Sequence, residues 1–82
     1  LLKSLPAEER TIVFYESVHR IERTLLELAA AFDAQPERRV VVARELTKLH
    51  EEIVATTIAG LPDVAKTITK KGEFVVVIGA LE

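Results

Sequence analysis

The chain has 82 residues, which is enough for one domain built on a single modest core. Its net charge of −2 gives no overall electrostatic case for nucleic-acid binding, and the lack of cysteine excludes disulfides and cysteine-based metal sites. Apolar runs such as Phe74–Ile78 are far too short to cross a bilayer, and we expect a cytoplasmic protein.

The apolar fraction of 49% is high for so small a domain, because small domains normally cover their large surface with polar residues. The chain also starts at Leu1 and contains no methionine. We therefore interpret residues 1–82 as a single domain excised from a longer protein. Part of its surface would be covered by a missing domain or a partner subunit.

The first half of the chain predicts one strand and one long helix. Residues 1–9 are typical of a helix end or connector, and residues 11–15 are β-branched and aromatic without alternation, which predicts a strand covered on both faces. Ser17 is a plausible N-cap for a helix that follows. Apolar residues then recur at three- and four-residue steps through 18–32, which indicates one helical stripe.

The second half predicts a strand at 40–43, a strand at 53–59, a short helix within 60–72 and a final strand at 73–80. The order is therefore strand, helix, strand, strand, helix, strand. This order predicts a layered α/β domain, with a mixed sheet of about four strands and helices packed on it. Because the apolar runs do not alternate, we expect both faces of the sheet to be covered.

Several catalytic motifs are absent from the sequence. The chain has no glycine-rich dinucleotide fingerprint and no phosphate-binding loop. His19 and His50 lie far apart, and "HEE" at 50–52 lacks the spacing of a zinc-binding HExxH motif. We therefore predict no metal site, and nothing in the sequence places a Ser-His-Asp triad together.

Three predicted strands end in residues that could form a ligand-binding rim, because ligands of open α/β sheets bind beyond strand ends. These ends are 15–17, 43–45 and 79–80. If they share an edge, an aromatic ring, two carboxylates and a guanidinium meet there. The alternative is a solvated rim with weak ion pairs such as Glu16 with Arg20, and the residues alone favour neither.

Two groups of basic residues could likewise either bind a ligand or be ordinary surface charges. His19 and Arg20 oppose the dipole of a helix start, which suggests either an anionic ligand or a neighbouring carboxylate. A basic strip for RNA could also form, or its members could be ordinary solvated charges balanced by nearby glutamates. The members of this possible strip are Arg38, Arg39, Arg44 and Lys48.

The phrases "TIVFYESVHR", "RRVVVARELTKLHEE" and "KGEFVVVIGA" occur in this order along nearly the whole chain. Together they resemble the C-terminal domain of the bacterial small-subunit (16S) rRNA cytidine-2'-O-methyltransferases, a branch of the tetrapyrrole methylase superfamily. Val18 departs from the family's usual "FYESPHR", and this change affects helix entry rather than chemistry.

The resemblance implies a two-domain, homodimeric enzyme that binds S-adenosylmethionine between its domains and methylates a ribose 2'-hydroxyl of ribosomal RNA. This chain would form one wall of that cleft, and alone it would be inactive because the N-terminal domain is absent. The implied cofactor-binding residues are Phe14, Tyr15, Glu16, Ala43, Arg44, Glu45 and Gly79. The implied RNA-facing residues are Ser17, His19, Arg20 and Lys48, and Glu16 is the candidate general base.

Two other functions stay open at this point. One keeps the superfamily but changes the substrate to a tetrapyrrole such as a cobalamin precursor, although few aromatic residues are available to stack on it. The other is a non-catalytic dimerisation or interaction module with an α/β fold, which the apolar excess would suit.

Overall fold

Four strands and two α-helices form the fold of the part of the chain that the computed structural model describes, residues 2–47 and 50–81. The strands are β1 (Ile12–Glu16), β2 (Arg39–Thr47), β3 (His50–Thr57) and β4 (Glu73–Ile78). The helices are α1 (Ile21–Ala31) and α2 (Leu61–Thr67), with 3₁₀ turns at Leu2–Ala7 and Ile58–Gly60. The predicted α/β class and the predicted order of elements are confirmed.

The start of α1 differs from the prediction. Ser17 does not cap the helix; its carbonyl instead accepts the backbone N–H of Arg20 at 3.1 Å, which closes a turn. The helix begins at Ile21, and Arg20 occupies the N-cap position without a side-chain cap bond. The polar residues that separate β1 from the helical stripe therefore form a turn rather than a first helical turn.

The hairpin of β2 and β3 is longer than predicted. The polar residues after Ala43 continue the strand, and Arg44 pairs with Glu52 while Glu45 pairs with Glu51. The sequence did not predict this part of the hairpin because Arg44, Glu45, Glu51 and Glu52 are polar. Their strand structure is evident only from the pairing between the strands.

The sheet has the order β1-β4-β2-β3, and each of these three pairings is antiparallel, where a mixed sheet was predicted. Consequently β1 and β2 run in the same direction, while β3 and β4 run the opposite way. The carboxyl ends of β1 and β2 therefore meet the amino ends of β3 and β4 at one end of the sheet.

Both α-helices pack on one face of this sheet. The buried apolar side chains from α1 are Ile21, Leu25 and Leu28, with Phe32 just beyond it, and those from the strands are Val40, Val42, Phe74, Val76 and Ile78. Each such side chain contributes about 1.5–3 kcal/mol when it is fully buried. Neither helix, nor any other helix of the described residues, is long and apolar enough to cross a membrane.

No described residue covers the other face of the sheet, and the predicted cover on that side therefore stays with the missing domain or partner subunit expected above. Val13, Tyr15 and Ile53 remain 56%, 80% and 68% exposed. The strands are apolar on consecutive positions, but their burial alternates as in a sheet with one solvated side. We call this surface the open face; it consists of two cross-strand rows, Val13–Val77–Val41–Ala55 and Tyr15–Val75–Ala43–Ile53.

Arg38 is buried, with only 5% exposure, at the start of β2. Its guanidinium lies 5.4 Å from the centre of the Phe32 ring, a cation–π arrangement. It donates hydrogen bonds to Gly79 O (2.8 Å), Glu8 O (2.8 Å), Arg10 O (3.1 Å) and Gln35 Oε1 (3.0 Å). Arg38 is thus an internal structural residue and not part of a basic surface strip.

Replacing Arg38 by methionine should destabilise the fold strongly. The variant keeps the apolar stem but leaves the carbonyls of Glu8, Arg10 and Gly79 without this donor, and we expect the free energy of unfolding to fall by about 2–4 kcal/mol. Urea unfolding followed by circular dichroism measures this. The control is Arg39→Met at the exposed neighbouring position, which should cost less than about 0.5 kcal/mol. Equal losses in the two variants would contradict the role of Arg38.

Candidate functional site

A cleft of about 540 Å³ lies at the end of the sheet where β1 and β2 finish and β3 and β4 begin. Its lining combines side chains from the open face with side chains from the helix-covered face. The lining residues are Tyr15, Glu16, Ser17, Ala43, Arg44, Glu45, Glu51, Glu52, Ile53, Glu73, Phe74 and Val75.

Two of the three predicted strand ends meet in this cleft. The segments 15–17 and 43–45 lie on either side of the start of β4, since Tyr15 and Ala43 both pair with Val75. These six residues, all named as site residues from the sequence, contribute to one concave surface.

Gly79 does not join them. Because β4 is antiparallel to β1 and β2, its carboxyl end lies at the opposite end of the sheet, where the Gly79 N–H bonds Arg39 O at 2.7 Å. Gly79 therefore does not meet the condition that the three strand ends share an edge, and the structure places this implied cofactor-binding residue away from the cleft. Phe14 also lies outside the cleft, and its half-buried side chain packs against the core on the helix-covered face.

The residues predicted to face RNA do not lie together in the cleft. Ser17 lines the cleft, whereas His19 and Arg20 are exposed in the turn before α1 and do not line it. Arg20 Nε lies 3.8 Å from Glu16 Oε1, which matches the weak ion pair considered above. Lys48 falls outside the described residues, so its RNA-facing role stays a prediction.

Both carboxylate oxygens of Glu16 accept hydrogen bonds from the protein. Oε1 accepts the Ser17 backbone N–H at 3.0 Å, and Oε2 accepts the hydroxyl of buried Thr24 at 2.8 Å. These contacts attach the end of β1 to the first turn of α1. The geometry gives Glu16 a positioning role, and its assignment as a general base stays a prediction.

Arg44 is the basic residue of the cleft lining. Its Nε donates to Glu52 Oε1 at 2.9 Å, and the Arg44 side chain is only 11% exposed. Its Nη1 is buried and has no hydrogen-bond partner among the described residues. A buried donor without an acceptor lowers the stability of the fold by about 1–3 kcal/mol. Arg44 Nη1 is therefore a donor that a ligand in the cleft could satisfy.

The electrostatics of the cleft favour positive charge in a ligand. Five glutamates and one arginine line it. Three of the glutamates form a cross-strand row on the side of the open face, because Glu45 pairs with both Glu73 and Glu51. Like charges directly opposite one another are destabilising in a sheet, and a phosphate would meet repulsion here.

The sequence reasoning missed half of this lining, namely the residues contributed by the starts of β3 and β4. The available signal was the glutamate pair of "HEE" at 50–52, which closely follows the polar stretch after Ala43. Reading the polar stretch after Ala43 as one hairpin would have placed Glu51 and Glu52 beside Glu45 and Arg44. Among the described residues, no group of three or more His, Asp or Glu side chains could hold a metal ion.

The family model of the tetrapyrrole (corrin/porphyrin) methylases matches residues 1–62, from the N-terminal 3₁₀ turn into α2. The chain belongs to this family.

Curated relatives of this chain carry the name ribosomal RNA small subunit methyltransferase I. Those of Pasteurella multocida and Synechocystis are 45% and 47% identical over 82 and 78 residues, and that of Bacillus subtilis is 36% identical over 77 residues. The alignments cover 94–95% of this chain but only 25–27% of each relative. The chain thus spans about a quarter of the length of these methyltransferases.

A solved tetrapyrrole methylase has the same fold. The structure of cobalt precorrin-4 methyltransferase, a cobalamin biosynthetic enzyme, superposes with a TM-score of 0.76 at 23% identity. The match covers 95% of this chain and 32% of that chain. At this level of identity the likeness establishes the arrangement of strands and helices.

Thr24→Val should loosen the junction between β1 and α1. The substitution conserves shape but removes the donor to Glu16 Oε2, and we expect the free energy of unfolding to fall by about 1–2 kcal/mol. The Ser17 amide should shift in NMR spectra, because it shares the Glu16 carboxylate. A double-mutant cycle with Glu16→Ala, which removes the acceptor, should give a coupling energy of about 1 kcal/mol.

The control for this prediction is Thr67→Val, which removes an exposed hydroxyl that bonds Asp63 O within α2. This variant should leave the Ser17 amide unchanged and alter stability by less than about 0.5 kcal/mol. Additive effects of Thr24→Val and Glu16→Ala would show that their hydrogen bond contributes nothing.

Proposed function

We propose that this chain is the C-terminal domain of a two-domain, homodimeric methyltransferase that transfers a methyl group from S-adenosylmethionine to a cytidine 2'-hydroxyl in small-subunit ribosomal RNA. The domain provides one wall of the cofactor cleft, and the other wall belongs to an N-terminal domain that this sequence does not include. The observation that carries the proposal is the meeting of 15–17 with 43–45 in one cleft, in a chain whose family consists of methylases.

The relatives support the choice of ribosomal RNA as substrate, since they are named as small-subunit rRNA methyltransferases over nearly all of this chain. The likeness to a cobalamin biosynthetic enzyme supports the fold only, at 23% identity. A tetrapyrrole substrate therefore has less support than RNA. A purely non-catalytic module would leave the match to a methylase family without explanation.

The cleft fits the proposed cofactor in size and chemistry. Its volume lies within the range of small-molecule sites, roughly 300–1,000 Å³. S-adenosylmethionine supplies an electrophilic methyl group on a positively charged sulfonium. The exposed Tyr15 ring offers a flat surface for adenine, and the carboxylates of Glu45 and Glu73 favour the sulfonium and ammonium charges.

In this proposal the residues of the chain position the reactants and do not themselves form bonds to them. Glu16 and Thr24 hold the Tyr15 segment against α1, and the Arg44–Glu52 pair holds the facing segment of β2. Fixing two reactants in the right geometry supplies much of the barrier reduction for an in-line displacement. Because half of the pocket is elsewhere, residues 1–82 alone should bind the cofactor weakly and transfer no methyl group.

Titration with S-adenosylmethionine, followed by NMR, tests the cleft directly. We expect weak binding that shifts the amides of Tyr15, Ala43 and Glu45 and leaves Arg39 and Gly79 unchanged at the opposite end of the sheet. S-adenosylhomocysteine, which lacks the sulfonium charge, should bind several-fold more weakly because the cleft is acidic.

Tyr15→Ala should reduce the shifts, whereas the control Val13→Ala should not. Both residues are exposed on β1 and on the same face, but only Tyr15 lines the cleft. Shifts centred on Gly79, or no shifts at all, would remove the cleft assignment.

A chimaera tests the substrate. The corresponding segment of the Pasteurella multocida relative is replaced by residues 1–82, and labelled methyl transfer to small-subunit RNA is measured. We expect the chimaera to methylate the RNA, and Tyr15→Ala within it to lower the rate by about tenfold through lost cofactor positioning. Isolated residues 1–82 serve as the inactive reference. Methyl transfer by the isolated chain, or a folded chimaera without activity, would contradict the proposal.

A further inference from the structure

Positive charge is concentrated on the helix side of the end of the molecule that carries the cleft. Five basic residues contribute to it from the turn before α1, the first turn of α1, the last turn of α2 and the segment that leads into β4. They are Arg20, Arg23, Lys66, Lys70 and Lys71, and all five are exposed. We call this group the basic ridge.

Lys70 joins the two helices at this corner of the molecule. Its Nζ lies 3.7 Å from Glu22 Oε1 in the first turn of α1, and it donates a hydrogen bond to the backbone carbonyl of Ala65 in α2 at 3.3 Å. The end of α2 therefore lies next to the start of α1. The three lysines and the two arginines of the ridge thus belong to one surface, although they are far apart in the sequence.

The ridge borders the cleft. Arg20 Nε lies 3.8 Å from Oε1 of Glu16, which is a lining residue. Lys71 comes two positions before Glu73, which also lines the cleft, and Gly72 turns the chain between them with a φ of 78°. Because Glu73 belongs to the glutamate row on the side of the open face, the two sides of this end of the sheet carry opposite charge.

The charge of the ridge is only partly balanced within the chain. Its pairs with Glu22 and Glu27 are weak, because both partners of each pair are well exposed. Within the described part of the chain, Lys66 and Lys71 form no ion pair. The ridge also places cations at the start of α1, where the helix dipole favours anions. A polyanion bound here would relieve the repulsion among these cations.

The acidic cleft restricts where the phosphates of a substrate can lie. The proposed function requires a ribose 2'-hydroxyl at the cleft, but the five glutamates of its lining repel the phosphates on either side of that ribose. The basic ridge borders the cleft and has the opposite charge. An RNA strand can therefore present one nucleotide to the cleft while neighbouring phosphates lie on the ridge.

We propose that the basic ridge binds the phosphodiester backbone of the RNA strand that carries the methylated ribose. These contacts position the strand and do not read its bases, because phosphates carry no sequence information. The identity of the polyanion rests on the proposed function. The inference extends the predicted RNA contacts from the turn before α1 to Arg23 and the three lysines at 66–71.

The salt dependence of binding measures the number of phosphate contacts. For a single strand, the logarithm of the association constant falls with the logarithm of the salt concentration by about 0.7 per contact. Five ridge residues therefore set a limit of about 3.5 on this slope. We expect the isolated chain to bind weakly, with a dissociation constant of about 100 μM.

Fluorescence anisotropy of a labelled single-stranded RNA of about 12 nucleotides, titrated with the 82-residue chain at several salt concentrations, tests the proposal. Lys66→Gln/Lys71→Gln should weaken binding about fivefold or more at low salt and reduce the slope by about 1.4. The matched control is Arg10→Gln/Arg39→Gln, which removes two exposed charges at the opposite end of the sheet and gives the same net charge. It should change the affinity less than about twofold.

Equal weakening by the two double variants, or a slope that Lys66→Gln/Lys71→Gln leaves unchanged, would overturn the proposal. No binding of RNA at low salt, or tighter binding to vesicles that contain phosphatidylserine than to RNA, would also overturn it. Oligocytidine and oligouridine should bind equally within about twofold, and a larger difference would show that bases rather than phosphates are contacted. Circular dichroism checks that each variant is folded.

The chimaera separates RNA binding from chemistry. Lys66→Gln/Lys71→Gln within it should raise KM for small-subunit RNA about fivefold and leave kcat and the KM for S-adenosylmethionine unchanged, because the ridge holds the strand and does not touch the reacting atoms. A fall in kcat alone would contradict this role. The anisotropy measurement needs no cofactor, so an inactive chimaera would remove the proposed function while the binding of RNA to the ridge is still decided separately.

Discussion

The buried guanidinium of Arg38 is the interaction on which the rest of this structure depends. It joins the segment before β1, through the carbonyls of Glu8 and Arg10, to the end of β4, through the carbonyl of Gly79. The Arg38 backbone carbonyl also accepts the N–H of Ile58, where the chain leaves the hairpin for α2. Segments that are far apart in the sequence therefore converge on one side chain. An arginine suits this position because its planar fork can serve several carbonyls at once.

The register of the strands determines which side chains line the candidate site. Arg38 lies at one end of the sheet and the cleft at the other, and the pairing between them determines which side chains reach the cleft. Tyr15 and Ala43 share one row through Val75, and a slip of one residue would turn each of them to the opposite face. The register is the same from one end of the sheet to the other, because the two central strands, β2 and β4, pair along most of their length. The candidate site thus depends on the register of pairings that run from the Arg38 end of the sheet to the cleft.

The element order and the residues of two strand ends could be predicted from the sequence, since burial and strand propensity are local signals. What could not be predicted depends on non-local pairing. Gly79 was placed in the cleft because the direction of β4 relative to its neighbours is invisible in "EFVVVIGA". The two-sided coverage was inferred from apolar runs, but such runs cannot distinguish a covered face from one such as Val13–Val77 that the described residues leave open. Glu51 and Glu52 were missed for the same reason, because their proximity to Arg44 exists only through the hairpin.

Arg38 and Arg44 show how stability and function are separated between the two ends of the sheet. Arg38 has an acceptor for each nitrogen of its guanidinium and holds the scaffold. Arg44, six residues further along, has a buried Nη1 with no hydrogen-bond partner among residues 2–47 and 50–81, and it lines the cleft together with five glutamates. Both the buried donor of Arg44 and the row of Glu73, Glu45 and Glu51 lower the free energy of unfolding. A sequence selected for stability alone would have neither feature. Both features lie at the end of the sheet that carries the cleft, where a bound ligand can supply an acceptor for Arg44 and positive charge for the glutamates.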